Sequence, residues 1–147
     1  IAAASLFGWT LSRAQVPQNL AKMLIDFTRS PAVILLVLNI FLLIVGCFIE
    51  GLAAIVILVP ILMPILDSVG ISPIHFGVVA VLNLTIGALT PPVGTYLYIM
   101  AKVADMSLEN VVRAVLPWIV PLVLVLILIT FFPDFVLWFP RLFGMIG

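Results

Sequence analysis

The chain has 147 residues, 65% hydrophobic and 8% charged, with six Lys or Arg against six Asp or Glu. A mean hydropathy of +1.45 places it in the membrane class, with room for about four or five membrane-embedded elements of roughly 20 residues and no separate aqueous domain. A formal net charge of zero argues against a nucleic-acid partner, which needs a basic surface, and the single cysteine, Cys47, excludes an internal disulfide and a thiolate metal framework.

In chain order, residues 1–13 read as the end of a transmembrane helix, because Trp9 lies just ahead of Ser12 and Arg13, as an aromatic ring and a charge do at an interface. The opening "IAAASLFGW" has neither an initiator Met nor the charged start of a signal peptide, so the chain is expected to be part of a larger membrane protein. Residues 14–30 place Leu20, Met23, Leu24 and Phe27 at helical spacing among Gln18, Lys22, Asp26 and Arg29. That pattern predicts an amphipathic helix lying in the interface.

Residues 31–49 are apolar except for Asn39, and residues 52–66 form a second apolar run that holds Pro60 and Pro64. As one helix the two runs would measure about 54 Å at about 1.5 Å per residue, against a hydrocarbon thickness of about 30 Å. The chain must turn, and "GCFIEG" lacks the polar loop that a turn in water would carry. Residues 31–70 are therefore expected to form a re-entrant helical hairpin whose tip is surrounded by protein. Two ordinary spans joined by a very tight turn are the alternative.

Gly70 can take a left-handed cap, and Pro73 suits the first turn of the next helix. Residues 73–105 then read as a broken transmembrane helix. Its first half, 74–86, reaches about 20 Å and is too short to cross alone, and its second half resumes over 96–103. The interruption is "NLTIGALTPPVGTYLY". Pro91 and Pro92 lack N–H groups, so the carbonyls of Gly87 and Ala88 are expected to lose their helical partners. Thr90, before a proline, is pushed out of helical geometry, while Gly87 and Gly94 tolerate unusual angles. Freed carbonyls, a hydroxyl and two opposed half-helix ends outline a site for a small hard cation, since unwound carbonyls hold Na+ and half-helix N-termini face anions in secondary transporters. A proline kink that only shapes packing is the simpler alternative.

In 107–147, Ser107 is a candidate N-cap for a short amphipathic helix, "LENVVRA", followed by a final span over 115 to about 132. Phe131, Phe132, Phe135, Trp138 and Phe139 are expected to form its terminal aromatic belt, with Arg141 beyond. Glu50, the one acid in the long apolar region, either serves a cation or proton path or faces water at the hairpin tip. Gly46 and Gly51 either bring that tip against the broken helix or permit the turn. Asn83 either positions the break or joins helices, His75 is expected to be solvated or capping, and Cys47 and Met100 to be packing residues. A lone His, a lone Cys and scattered carboxylates supply no triad and no metal-ligand spacing, so no enzyme is expected.

Three stretches, "GCFIEGLAAIVILVPILMPI", "HFGVVAVLNLTIGALTPPVG" and "SLENVVRAVLPW", closely resemble the C-terminal half of the large membrane (DctM-type) subunit of tripartite ATP-independent periplasmic (TRAP) transporters. The resemblance implies an all-α membrane protein, the second inverted repeat of an elevator-type transporter, in which hairpin and broken helix enclose one Na+ beside the substrate. It implies sodium-binding roles for Gly46, Glu50, Gly87, Ala88, Thr90 and Gly94, and positions near the substrate for Asn83, Pro91, Pro92 and Thr95. It further implies Na+ as coupling ion with no cofactor, a carboxylate substrate of the C4-dicarboxylate or sialic acid class, a small DctQ-type membrane subunit, a periplasmic substrate-binding protein, and a multi-pass location in the bacterial inner membrane. The resemblance also makes the identity of Glu50 unexceptional, since many relatives carry Asp or Glu there, and because Cys47 is often Met in relatives it is not expected to act through its side chain. Arg13, Lys22, Arg29 and Arg141 on the side of the hairpin feet, against Lys102 and Arg113, lean toward a cytoplasmic mouth; the resemblance implies an outward one, which is the orientation expected here. The alternatives are a related elevator-type carboxylate transporter without a binding protein and a structural membrane-anchoring subunit. Without the first repeat, this chain alone is not expected to transport.

Overall fold

The computed structural model describes residues 30–144 together with Thr10, Arg13, Gln15, Asn19, Lys22, Met23 and Thr28. The expected membrane-helix end at 1–13 and interfacial helix at 14–30 fall mostly outside the described residues. Among those described there are six helices and no strand: α1 Pro31–Phe48, α2 Gly51–Ser68, α3 Pro73–Ala88, α4 Thr95–Val103, α5 Leu108–Phe131 and α6 Pro133–Leu142. The class is all-α. Helices α1, α2 and α5, with 18, 18 and 24 residues, are long and apolar enough to cross a membrane.

The helix ends follow local chemistry. Pro31 and Pro73 open α1 and α3, where a missing N–H costs nothing. Glu50 opens α2, its two carboxylate oxygens accepting the N–H groups of Leu52 and Ala53 at 3.0 Å each. Ser107 opens α5 by accepting from the Asn110 N–H at 3.4 Å. At the far end of α2, Gly70 has φ +70°, its N–H donates to Asp67 O at 3.2 Å, and Ile71 N–H donates to Leu66 O at 2.9 Å. This is a Schellman cap, and the apolar contact that accompanies such caps is made by Ile71 and Leu66 in the core.

Between Phe48 and Gly51 only Ile49 and Glu50 intervene, so α2 folds back on α1. Val37, Leu38 and Phe41 of α1 line one groove with Leu58, Ile61, Leu62 and Ile65 of α2. Helix α3 then runs in the direction of α1, with Asn83 beside Asn39 and Gly87 on Gly46. Ile34, Leu38 and Leu42 of α1, Leu62 and Ile65 of α2, and Phe76, Ala80 and Leu84 of α3 share one core. A second cluster joins Val79 and Ile86 of α3 to Leu126 and Ile129 of α5. Outside these contacts the surface stays apolar, with Ile40, Ile44, Leu52, Val120 and Leu124 all exposed, the reverse of a soluble surface. In lipid, helix association rests on close packing and interhelical hydrogen bonds rather than on apolar burial.

Three expectations are corrected. The short helix and final span expected over 107–147 are one helix, α5, which runs through Pro117 and Pro121. The two prolines are four residues apart, so the lost bonds, to Arg113 O and Pro117 O, fall on one side of the helix while the other side stays bonded. The aromatic belt is divided. Phe131 and Phe132 end α5, whereas Phe135, Trp138 and Phe139 lie exposed on the separate helix α6, because Phe132, before Pro133, is held at φ −117°, ψ 77°, outside helical geometry. His75 is not solvated, and what it caps is not its own helix but the last turn of α5, where Pro133 has no N–H to give Ile129 O. It is 3% exposed, and its Nε2 lies 2.7 Å from Ile129 O of α5, so the start of α3 is sealed by the end of α5.

The junction of hairpin tip and broken helix as candidate site

Helix α3 stops at Ala88 and α4 starts at Thr95, so residues 89–94 form the break. The stop is tight: Leu89 N–H donates to Ile86 O at 3.0 Å and Thr90 N–H to Gly87 O at 2.9 Å. The expectation that Gly87 loses its carbonyl partner is thereby corrected, since the bond that Pro91 cannot donate is replaced by one from Thr90, one residue earlier. Ala88 has no such recourse. The residues three and four ahead of it are Pro91 and Pro92, and neither has an N–H to give.

The Thr90 hydroxyl donates to Ile86 O at 2.7 Å. Its proton points back along α3, which leaves its lone pairs for another partner. Gly94 sits in left-handed geometry, φ +47° and ψ 75°, as the N-cap of α4. A Cβ there would lie 2.7 Å from Leu97 Cδ1 and 3.0 Å from Thr90 O, so the close approach of backbone to backbone requires glycine.

The hairpin tip meets this break through main chain. A Cβ on Gly87 would lie 2.8 Å from both Cα and C of Gly46 and 2.9 Å from Leu43 O, and one on Gly46 would lie 2.9 Å from Leu84 O. The two helices therefore cross at bare backbone, the small-residue contact of membrane helix pairs. Beyond the crossing, Gly94 N–H donates to Cys47 O at 3.2 Å. Thus Gly46, Cys47, Gly87 and Gly94 converge. On the α2 side of the tip, Glu50, Gly51, Thr85 and Tyr96 line one cleft of about 150 Å³; Glu50 is placed there, with both carboxylate oxygens engaged by α2.

Ala88 is buried, Thr90 half-buried, and Pro91, Pro92 and Thr95 are exposed. Asn83 lies elsewhere: it is fully buried and turned into the α1–α3 contact, where it donates to Asn39. Sequence reasoning missed the carbonyl of Cys47, the cleft residues Thr85 and Tyr96, and the Asn39–Thr130 bond of 2.8 Å across 91 residues. A signal for that last contact existed, because an Asn alone in an apolar run needs a partner inside a membrane protein.

The donors offered at the junction are carbonyl and hydroxyl oxygens, the set that suits a hard cation. Ala88 O without a helical partner, Thr90 Oγ1 with its proton turned away, and Thr90 O in a space that a Cβ at Gly94 would crowd are compatible with Na+.

The family description "Tripartite ATP-independent periplasmic transporter, DctM component" matches residues 1–135. The chain is 48% identical over 139 residues to the sialic acid TRAP transporter large permease protein SiaM of Vibrio cholerae, covering 95% of this chain and 33% of that protein. It is 44% identical to the C4-dicarboxylate TRAP transporter large permease protein DctM of Pseudomonas aeruginosa, over 99% of this chain and 34% of that protein. With the isethionate TRAP transporter permease protein DctMQ of Oleidesulfovibrio alaskensis the identity is 43%, over 92% of this chain and 21% of that protein. The chain thus spans about a third or less of the length of these relatives. On the family match and these relatives, the chain belongs to the DctM family of TRAP transporter large permeases.

Proposed function

We propose that this chain is the part of a TRAP large permease that binds one coupling Na+ at the junction of α1 and α3, beside the site of an organic anion. The observation that carries the reading is Ala88: a buried residue whose carbonyl has two prolines as its helical donors, two residues before Thr90, whose hydroxyl proton is turned back to Ile86 O, in a segment held against α1 by the Gly46–Gly87 contact and the Gly94–Cys47 bond. Ala88 O, Thr90 Oγ1 and Thr90 O are the ligands contributed by this chain, with Gly46, Gly87 and Gly94 setting their spacing. Bound there, Na+ supplies a fixed positive charge beside an anion. Helix α4 has no side-chain cap at its N-terminus, so the N–H groups near Thr95 and Tyr96 are free for an anionic group of the substrate, in the manner of half-helix ends in transporters.

In this reading α1 and α2 are the re-entrant hairpin, α3 and α4 the two halves of one crossing, and the unit is the second repeat of an elevator. The whole permease works in the bacterial inner membrane with a small DctQ-type subunit and a periplasmic binding protein. The relatives' names, sialic acid, C4-dicarboxylate and isethionate, share a small organic acid, and a carboxylate is the leading class. Thr90→Ala in the full-length permease, assayed with its partners in proteoliposomes, is expected to raise the half-saturating Na+ concentration about tenfold, the equivalent of about 1.4 kcal/mol, with insertion unchanged; Thr90→Ser should stay near wild type. An unaltered sodium response in Thr90→Ala would defeat the assignment, and uptake that needs no soluble binding protein would favour the related elevator transporter.

A further inference from the structure

Asn39 on α1, Asn83 on α3 and Thr130 on α5 are 6%, 0% and 2% exposed and form one hydrogen-bonded chain. Asn83 Nδ2 donates to Asn39 O at 3.0 Å and to Asn39 Oδ1 at 2.7 Å. Asn39 Nδ2 donates to Thr130 Oγ1 at 2.8 Å, and Thr130 Oγ1 donates to Leu126 O at 2.6 Å. Donation runs one way, from α3 through α1 to α5, so each bond polarises the next in a dry interior. The chain begins at Asn83 Oδ1, which has no partner among the described residues.

Its position gives it a task. Asn39 is about 10 Å along α1 from Gly46, and Asn83 about 6 Å along α3 from Gly87, at about 1.5 Å per residue. The glycine crossing brings backbones together but presents no side chains that would oppose sliding. Asn83 grips both the main-chain and the side-chain oxygen of one residue, so a slip of α1 past α3 breaks both bonds and also moves Cys47 O away from Gly94 N–H. Thr130 ties the same residue of α1 to α5 and removes the remaining freedom.

We propose that Asn83, Asn39 and Thr130 are positioning residues that lock the register of the hairpin arm against the broken helix and thereby set the Na+ affinity of the junction. The sodium part of this inference rests on the function proposed above; the register part does not. Thr130→Val keeps the shape of the side chain and removes the hydroxyl, Thr130→Ser restores it, and Asn39→Ala removes the central link. Each is measured in the full-length permease with its partners, by Na+-dependent uptake and by hydrogen exchange of the segment 87–97 in sodium-free buffer.

Thr130→Val is expected to raise the half-saturating Na+ concentration about threefold to tenfold, the range one interhelical hydrogen bond carries in a membrane, with little change in maximal rate and with faster exchange over 87–97. Thr130→Ser should stay near wild type. A lowered maximal rate at unchanged sodium dependence, or exchange over 87–97 equal to wild type in both Thr130→Val and Asn39→Ala, would overturn the inference. If wild-type uptake ignores Na+, the sodium assignment fails, and the exchange measurement alone decides the register lock: faster exchange upholds it and unchanged exchange removes it.

Discussion

Gly87→Ala places one methyl group where the structure leaves no room. The new Cβ would lie 2.8 Å from Cα and C of Gly46 and 2.9 Å from Leu43 O. All three atoms are backbone, so no rotamer change relieves the contact. Ordinary contact begins near 3.4 Å, so α1 must retreat by at least about 0.6 Å, at a cost of about 1–3 kcal/mol for overpacking. The same retreat acting along the Gly94–Cys47 bond would lengthen it from 3.2 Å to about 3.8 Å, beyond hydrogen-bonding range. At about 1.4 kcal/mol per factor of ten, Na+ affinity is expected to fall by about fivefold or more. The assay is uptake against Na+ concentration in proteoliposomes, with thermal unfolding of the purified permease measured in parallel. Gly77→Ala is the control, since nothing lies within 4 Å of a Cβ at that helical position; it should leave uptake intact and, if anything, stabilise α3. A Gly87→Ala permease with wild-type sodium dependence and wild-type melting would refute the reasoning from backbone contact to site geometry.

Gly94→Ala forces a Cβ into left-handed backbone 2.7 Å from Leu97 Cδ1; uptake should fall about fivefold or more, given a strain of about 1–3 kcal/mol. Gly94→Asn should be the milder variant in left-handed geometry, and equal activity of the Ala and Asn variants would count against strain as the cause. Pro91→Ala with Pro92→Ala restores N–H donors within helical reach of Ala88 O. Sodium-driven uptake should be lost while the protein still inserts, and normal uptake in the double variant would mean that the unfinished turn is not the site.

The division into α1 and α2 was legible because the two apolar runs are too long for one crossing, and the end of α2 because Gly70 is where a left-handed residue is needed. The place of the break was legible because two adjacent prolines cannot continue a helix. Its detailed hydrogen bonding was not. A carbonyl that loses its donor four residues ahead can be served from three ahead, and this rescues Gly87 but not Ala88. The continuity of α5 was hidden for a related reason: a proline removes one bond and leaves the neighbouring turns able to carry the helix on. His75 and Asn39 were misjudged or left without a role because their partners, Ile129 and Thr130, lie on a helix far ahead in sequence. Burial of that kind is decided by packing between helices, to which local pattern is blind.

The most direct measurement is a pair of density maps of the full-length permease, one in sodium and one in a large organic cation that cannot enter the junction. A cation peak within coordinating distance of Ala88 O and Thr90 Oγ1 in the first map and absent from the second is the predicted result. Helix continued through residues 89–94, or a sodium peak elsewhere with Ala88 O facing only protein, would contradict it.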